Sequence, residues 1–198
     1  GGNLPTLLLT PYYGLMEIGF FGMALTLSFR PINIVCSSLY QILYQKISER
    51  VNGNKSVLSL LGKFLLRIGS VTLLLFAVLY IVMPYIVSFL LGNEWIVVSD
   101  YIRIFLPWLF LVVLNTSLSF LPDVFSKQSI YLLFEIVYIL LRLSALLIGV
   151  RANSMHTALL LFSMIGALVL LVELCWFIYM VVRYEKQREQ VGDTSKQC

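Results

Sequence analysis

Four charged residues sit inside long apolar stretches of this chain: Arg30, Glu135, Arg142 and Glu173. A charge at bilayer depth costs at least about 2.5–3.5 kcal/mol on insertion scales, so it normally faces a protein interior or a water-filled cavity. A guanidinium fork suits phosphate oxygens. Aromatic rings and carboxamides suit sugar faces and hydroxyls. Around Arg30, helical spacing puts Gly19, Met23, Thr26, Asn33, Ser37, Gln41 and Tyr44 on one polar stripe, with Phe, Leu, Ile and Val opposite. Pro31 follows Arg30 directly and is expected to kink the helix there. Glu135 and Arg142 are two turns apart on one face, about 10 Å along the axis, which they share with Tyr131 and Tyr138. That is too far for a direct salt bridge, so each needs a partner on another helix or in water. Glu173 has Ser163 and Gly166 on roughly the same side. Three helices bringing charge together argue for a hydrated interior. The competing reading is that these charges neutralise one another as structural pairs, with Arg30 serving assembly alone.

No soluble-enzyme constellation accompanies them. There is no Walker loop, Rossmann fingerprint, HExxH, nucleophile elbow or CxxC, so no catalytic residue and no resident metal or cofactor is expected. Cys36 and Cys175 lie in apolar runs and Cys198 at the end, without metal or disulfide spacing; the first two read as small buried hydrophobes. His156 reads as an ordinary residue of a short outer loop.

The elements that must position these charges are transmembrane helices. The chain is 60% hydrophobic and only 12% charged, against about 25% charged in a soluble domain. Its mean hydropathy is +0.92. We expect an all-α integral membrane bundle with one partial span, Leu4–Thr10, and five full ones. These are the Arg30 helix (about 19–45), then about 68–91, 96–121, 130–150 and 158–182. Part of 57–66 reads as an amphipathic surface segment. Asn52-Gly53-Asn54, Gly92-Asn93-Glu94-Trp95 and Pro122-Asp123 read as breaks. Asp100 and Arg103, three apart at a helix start, are expected to pair. Asn115 and Ser119 give the third full span a polar edge. The bundle is assigned to 1–182, and 183–198 to a charged, disordered cytoplasmic tail. The opening GGNLPTLLLT reads as a start inside an apolar segment, as in a chain lacking its N-terminal part.

Loop charges orient the spans. Lys46, Arg50, Lys55, Lys63, Arg67, Lys127, Arg183, Lys186, Arg188 and Lys196 fall on one side, and only Arg103 and Arg151 on the other. The first side is expected to be cytoplasmic. Glu135 and Glu173 then lie in the inner half, Arg142 nearer the outer half and Arg30 near the middle.

The order of short patterns resembles a known family. GLMEIGFFGMA at 14–24, Arg30-Pro31, SLYQILYQ at 38–45 running into a basic loop, LLGNEW at 90–95, then Tyr101, Arg103 and Pro107-Trp108, together resemble the C-terminal half of polysaccharide flippases. These are the O-antigen repeat-unit translocases of the multidrug/oligosaccharidyl-lipid/polysaccharide transporter superfamily. The resemblance covers about residues 4–182. It implies the C-terminal six-helix lobe of a 12-helix transporter in the bacterial inner membrane. Such a transporter moves undecaprenyl-diphosphate-linked oligosaccharide to the outer leaflet for cell-surface polysaccharide synthesis. The implied partners are the bilayer, that lipid-linked glycan and an N-terminal six-helix half; no nucleic acid is implied, and coupling to an H+ or Na+ gradient is left open. Without the first half, this lobe would not form the cavity.

The expected cavity residues are Arg30, Asn33, Ser37, Gln41, Glu135, Tyr138, Arg142 and Glu173, with Arg30 the more important of two diphosphate ligands. A multidrug cation antiporter of the same superfamily is the alternative. It would favour a carboxylate-lined site, whereas fixed arginines suit an anionic diphosphate. A membrane-embedded glycan ligase or polymerase would need a large outer loop, and the outer loops here are short.

Overall fold

The computed structural model describes residues 4–152 and 154–194, and every element of regular structure among them is helical. A short α1 (Leu4–Leu9) ends before Pro11, and Gly14 adopts extended backbone to start α2 (Leu15–Asn52). Then come α3 (Leu58–Leu91), a 3-10 turn (Asn93–Trp95), α4 (Ile96–Leu118), a one-turn α5 (Leu121–Val124), α6 (Gln128–Arg151) and α7 (Met155–Thr194). Five helices are long and apolar enough to cross a bilayer. The chain is a multi-pass membrane protein, with α1 as the short sixth element.

The breaks fall where the backbone requires them. Gly92 sits at φ +91°, a region that L side chains rarely adopt, and so ends α3. Asn54, also at positive φ, turns the chain between α2 and α3. Pro31 lies inside an α2 that stays helical on both sides. The 57–66 segment is not a separate surface helix, because α3 runs unbroken from Leu58. Lys63 and Arg67 simply ride on its exposed face.

α4 is the hub, packing against α2, α3 and α7, while α6 packs on α7. Two-thirds of its apolar window (67%) is buried, against 11% for α3, so α4 is wrapped by protein and α3 faces outward. With no hydrophobic gain available between helices in lipid, the bundle is held by close packing. The central contact is a chain of edge-to-face rings. Phe21 of α2 meets Phe105 of α4 at 6.2 Å, Phe105 meets Trp108 at 5.8 Å, and Trp108 meets Phe162 of α7 at 5.5 Å. Cys36 is buried in this core, but Cys175 is exposed on α7, where a buried position was expected.

The last helix does not stop near Val182. α7 continues to Thr194, so residues 183–194 are helical where a disordered tail was expected; residues 195–198, with Lys196 and Cys198, lie outside the described residues. Composition misleads here because tertiary contacts hold the extension. Glu185 accepts the Val57 backbone N–H at 3.2 Å and pairs with Arg188 at 2.8 Å. The Tyr184 hydroxyl donates to the Val51 carbonyl and Arg188 to that of Asn54, both at 3.4 Å. At about 1.5 Å per residue, α2 and α7 each exceed a 30 Å hydrocarbon core, so these contacts tie helix ends together beyond it.

Candidate functional site

α4, α6 and α7 enclose a cavity of about 400 Å³ lined by Asn115, Thr116, Ser119, Tyr131, Glu135, Tyr138, Arg142 and Glu173, among others. It adjoins a second cavity of about 760 Å³, where α2 contributes Gly22, Thr26 and Asn33. Phe29, Trp108 and Arg142 line both. Arg142 therefore stands on the partition between the two spaces.

Its guanidinium is held without a carboxylate. Arg142 Nη1 donates to the Tyr138 hydroxyl at 2.7 Å, and Trp108 Nε1 donates to the same oxygen at 2.9 Å. The guanidinium carbon lies 3.8 Å from the Phe162 ring centre, 4.0 Å from that of Trp108 and 4.7 Å from that of Tyr138. Three rings from α4, α6 and α7 thus box one cation; each such contact is worth roughly 2 kcal/mol when desolvated. Gly166 makes the box possible. A Cβ there would come within 3.1 Å of Trp108 and 3.3 Å of Arg142 Nε. Arg142 Nε is buried and has no hydrogen-bond partner, so one donor of the fork is unspent. The Tyr138 oxygen already accepts two hydrogen bonds, leaving its own O–H free to donate onward.

The sequence expected Arg142 to find its partner on another helix or in water. The hydrogen-bond partner is instead Tyr138, one turn earlier on the same helix, and the neighbouring helices supply rings rather than charge. Nor do the four intramembrane charges neutralise one another. The ion pairs found among the described residues are Glu185–Arg188 and the expected Asp100–Arg103, the latter at 3.4 Å. Glu173 is only 3% exposed and forms neither hydrogen bond nor ion pair with any described residue. Its electrostatic neighbour is Glu135, a like charge.

The expected site residues fall into two groups. Glu135, Tyr138, Arg142 and Glu173 share the α4–α6–α7 cavity, and Asn33 lines the adjoining one. Arg30, Ser37 and Gln41 are exposed on α2 and line none of the cavities described. Ser37 turns its hydroxyl back onto the Ile34 carbonyl at 2.9 Å. Trp108, Phe162 and Asn115 are central and went unassigned, although Gly166 facing Glu173's side hinted at a close approach there. His156 sits in the first turn of α7, beside a separate cavity of about 690 Å³ that Tyr80, Asp100 and Arg103 also line.

Fold and site together define a multi-pass helical membrane protein whose interior holds fixed charge and oxygen donors. A family profile described as polysaccharide biosynthesis protein matches residues 2–100, half of the 198-residue chain. The chain belongs to that polysaccharide biosynthesis protein family. No curated protein and no solved structure matches it.

Proposed function

We propose that this chain forms one lobe of a flippase for polyprenyl-diphosphate-linked oligosaccharide repeat units. The observation that carries this reading is Arg142, a permanent cation on the wall between two polar cavities, with a buried donor unspent. An anionic diphosphate is the group such a fork recognises. Trp108, Tyr138 and the carboxamides of Asn33 and Asn115 supply surfaces suited to a glycan. Membership of a polysaccharide biosynthesis family supports the substrate class. The exposed polar stripe of Arg30, Asn33, Ser37 and Gln41 supports a second lobe facing α2, since such groups are disfavoured against lipid. The direct test is a flipping assay in proteoliposomes, using a fluorescent polyprenyl-diphosphate oligosaccharide and an outer-leaflet quencher. Flipping of a cationic dye in place of that lipid would favour the antiporter reading instead.

Two further outcomes are expected. Cysteines placed at Asn33, Ser37 or Gln41 should react with aqueous maleimide in membranes. Cysteine at Val35, 53% exposed but about 140° round the helix from Arg30, should react far less. Equal labelling at all four positions would remove the case for a water-facing stripe. The ends of α2 and α7 that carry Lys46, Arg50, Arg183 and Lys186 should lie in the cytoplasm. Alkaline phosphatase fused after Arg50 or Lys196 should then be inactive, and after Arg151 active; the opposite pattern would invert the topology.

A further inference from the structure

We infer that the groove opening beside Asp100 and Arg103 holds one phospholipid with an ethanolamine head, its phosphate on Arg103, its ammonium on Asp100 and an acyl chain between α4 and α7. α4 and α7 run side by side in the same direction: the Ser163 hydroxyl donates to the Ile104 carbonyl at 2.7 Å, and Gly166 lies against Trp108. The groove of about 690 Å³ beside them therefore has two unlike ends. Tyr80, Asp100, Arg103 and His156 line the end near Ile96 and Met155, where both helices begin. Further along, Pro107 and Leu111 of α4 face Leu160, Met164, Leu168 and Leu171 of α7. Ser163 lies among them, but its hydroxyl is spent on Ile104. Met164 and Leu168 are 62% and 61% exposed, so the apolar part is open along its side to the surrounding lipid. From His156 to Leu171 the groove follows α7 for about 22 Å at 1.5 Å per residue, against a hydrocarbon half-thickness of roughly 15 Å. A lipid head and a chain of one leaflet fit along that length.

Charge complementarity selects the head. Asp100 and Arg103 meet through a single contact, Nη1 to Oδ1 at 3.4 Å, and Arg103 Nε donates to the Tyr80 carbonyl at 2.8 Å. Arg103 Nη2, Asp100 Oδ2 and the His156 ring have no partner among the described residues. The mouth thus presents a cation and an anion side by side, each with a free face. An ethanolamine head carries the matching pattern, a phosphate and an ammonium on a short link. Its phosphate accepts from the guanidinium and its ammonium donates to the carboxylate, both as charge-assisted hydrogen bonds. A glycerol head has no cation and leaves Asp100 facing an anion. A choline head has a cation without N–H donors. The aromatic face that suits such a cation is Tyr80, and the Arg103 guanidinium already covers that ring at 5.0 Å. His156 lines the same mouth and brings a ring N–H for the phosphate. A polyprenyl diphosphate carries no amine, so this lipid is a resident of the groove and not the cargo proposed above.

The test needs no glycan, so its result stands apart from the flippase reading. The purified chain in detergent is titrated with phosphatidylethanolamine, phosphatidylcholine or phosphatidylglycerol of identical acyl chains, and bound lipid is counted by native mass spectrometry. One phosphatidylethanolamine per chain is expected, held at least tenfold more tightly than the other two. Asp100→Asn should abolish the preference for ethanolamine over choline. Arg103→Gln should weaken all three lipids at least fivefold, because each carries the phosphate. Glu49→Gln, on an exposed surface of α2, should bind as the wild type does. A second readout avoids the variants: the unfolding midpoint of the wild-type chain should rise with phosphatidylethanolamine over phosphatidylcholine, because a ligand that binds only the folded state stabilises it. Equal retention of the three lipids would mean unselective boundary lipid and would overturn the inference. So would no retained lipid, or the wild-type preference surviving in both groove variants.

Discussion

Arg142→Ala is expected to reduce oligosaccharide flipping tenfold or more in the proteoliposome assay. The side chain gives the cavity wall its permanent charge and its unspent Nε donor. Losing one charge-assisted hydrogen bond to a bound anion costs roughly 1.5–3 kcal/mol, which is tenfold or more in affinity. Arg142→Lys should restore only part of the activity, because an ammonium keeps the charge without the planar fork that the rings hold. Arginine stems also pack, so the alanine variant loses contacts as well as charge. Tyr138→Phe separates the two effects. It keeps the ring and removes the hydroxyl that fixes the guanidinium at 2.7 Å, so transport should fall with little change in yield. Arg30→Ala offers the comparison within the same chain. Arg30 is exposed on α2 and lines none of the described cavities, so its effect should be smaller unless a second lobe closes over it. Wild-type flipping by Arg142→Ala would end the diphosphate role for this residue. A larger loss at Arg30 than at Arg142 would move the anion site to the α2 stripe.

Gly149→Ala is expected to have the largest effect on stability. Gly149 lies near the end of α6, where the chain turns back into α7. A Cβ at this position would come within 2.2 Å of Ala158 Cα, 2.3 Å of its Cβ and 2.8 Å of its backbone nitrogen. Two of those three atoms are main chain, so no rotamer change relieves the overlap and the helices must move apart. Overpacking of this kind costs typically about 1–3 kcal/mol, occasionally more, and separation would also disturb the Tyr13 hydroxyl donating to the Gly149 carbonyl at 3.3 Å. The size-exclusion thermal midpoint of the detergent-solubilised protein should drop clearly. Adding Ala158→Gly should restore little, since the closest atom is a Cα that glycine also has. Gly69→Ala is the control: Gly69 is buried in α3, yet a Cβ there meets nothing within 4 Å. That change should be neutral or mildly stabilising, because alanine favours helix over glycine by up to about 1 kcal/mol. Equal midpoints for Gly149→Ala and Gly69→Ala would mean that α6 and α7 do not approach as closely as the structure has them.

The sequence by itself determined the features that depend on near neighbours and on composition. The apolar runs define five spanning helices, because a bilayer demands long segments whose backbone bonds are satisfied internally. The break at Gly92, the turn at Asn54 and the Asp100–Arg103 pair follow from local backbone and side-chain reach, and the structure has each. That Glu135, Tyr138 and Arg142 share a face was legible from helical spacing alone, and they do line one cavity. Tertiary structure decided what each charge meets. Helical periodicity gives a direction from one axis, but not which helix lies in that direction. Hence Arg142 meets the rings of Trp108 and Phe162 instead of a carboxylate, and Glu173 lines the same cavity as Arg142 and Asn115 without an ion pair to either arginine of the spans. Arg30 shows the same limit in reverse: with Ser37 and Gln41 it is exposed on α2, and no described helix covers it. The length of α7 was hidden for a related reason. A charged segment reads as disordered until Glu185, Tyr184 and Arg188 find the α2–α3 turn, a contact between residues far apart in the chain that no local pattern encodes.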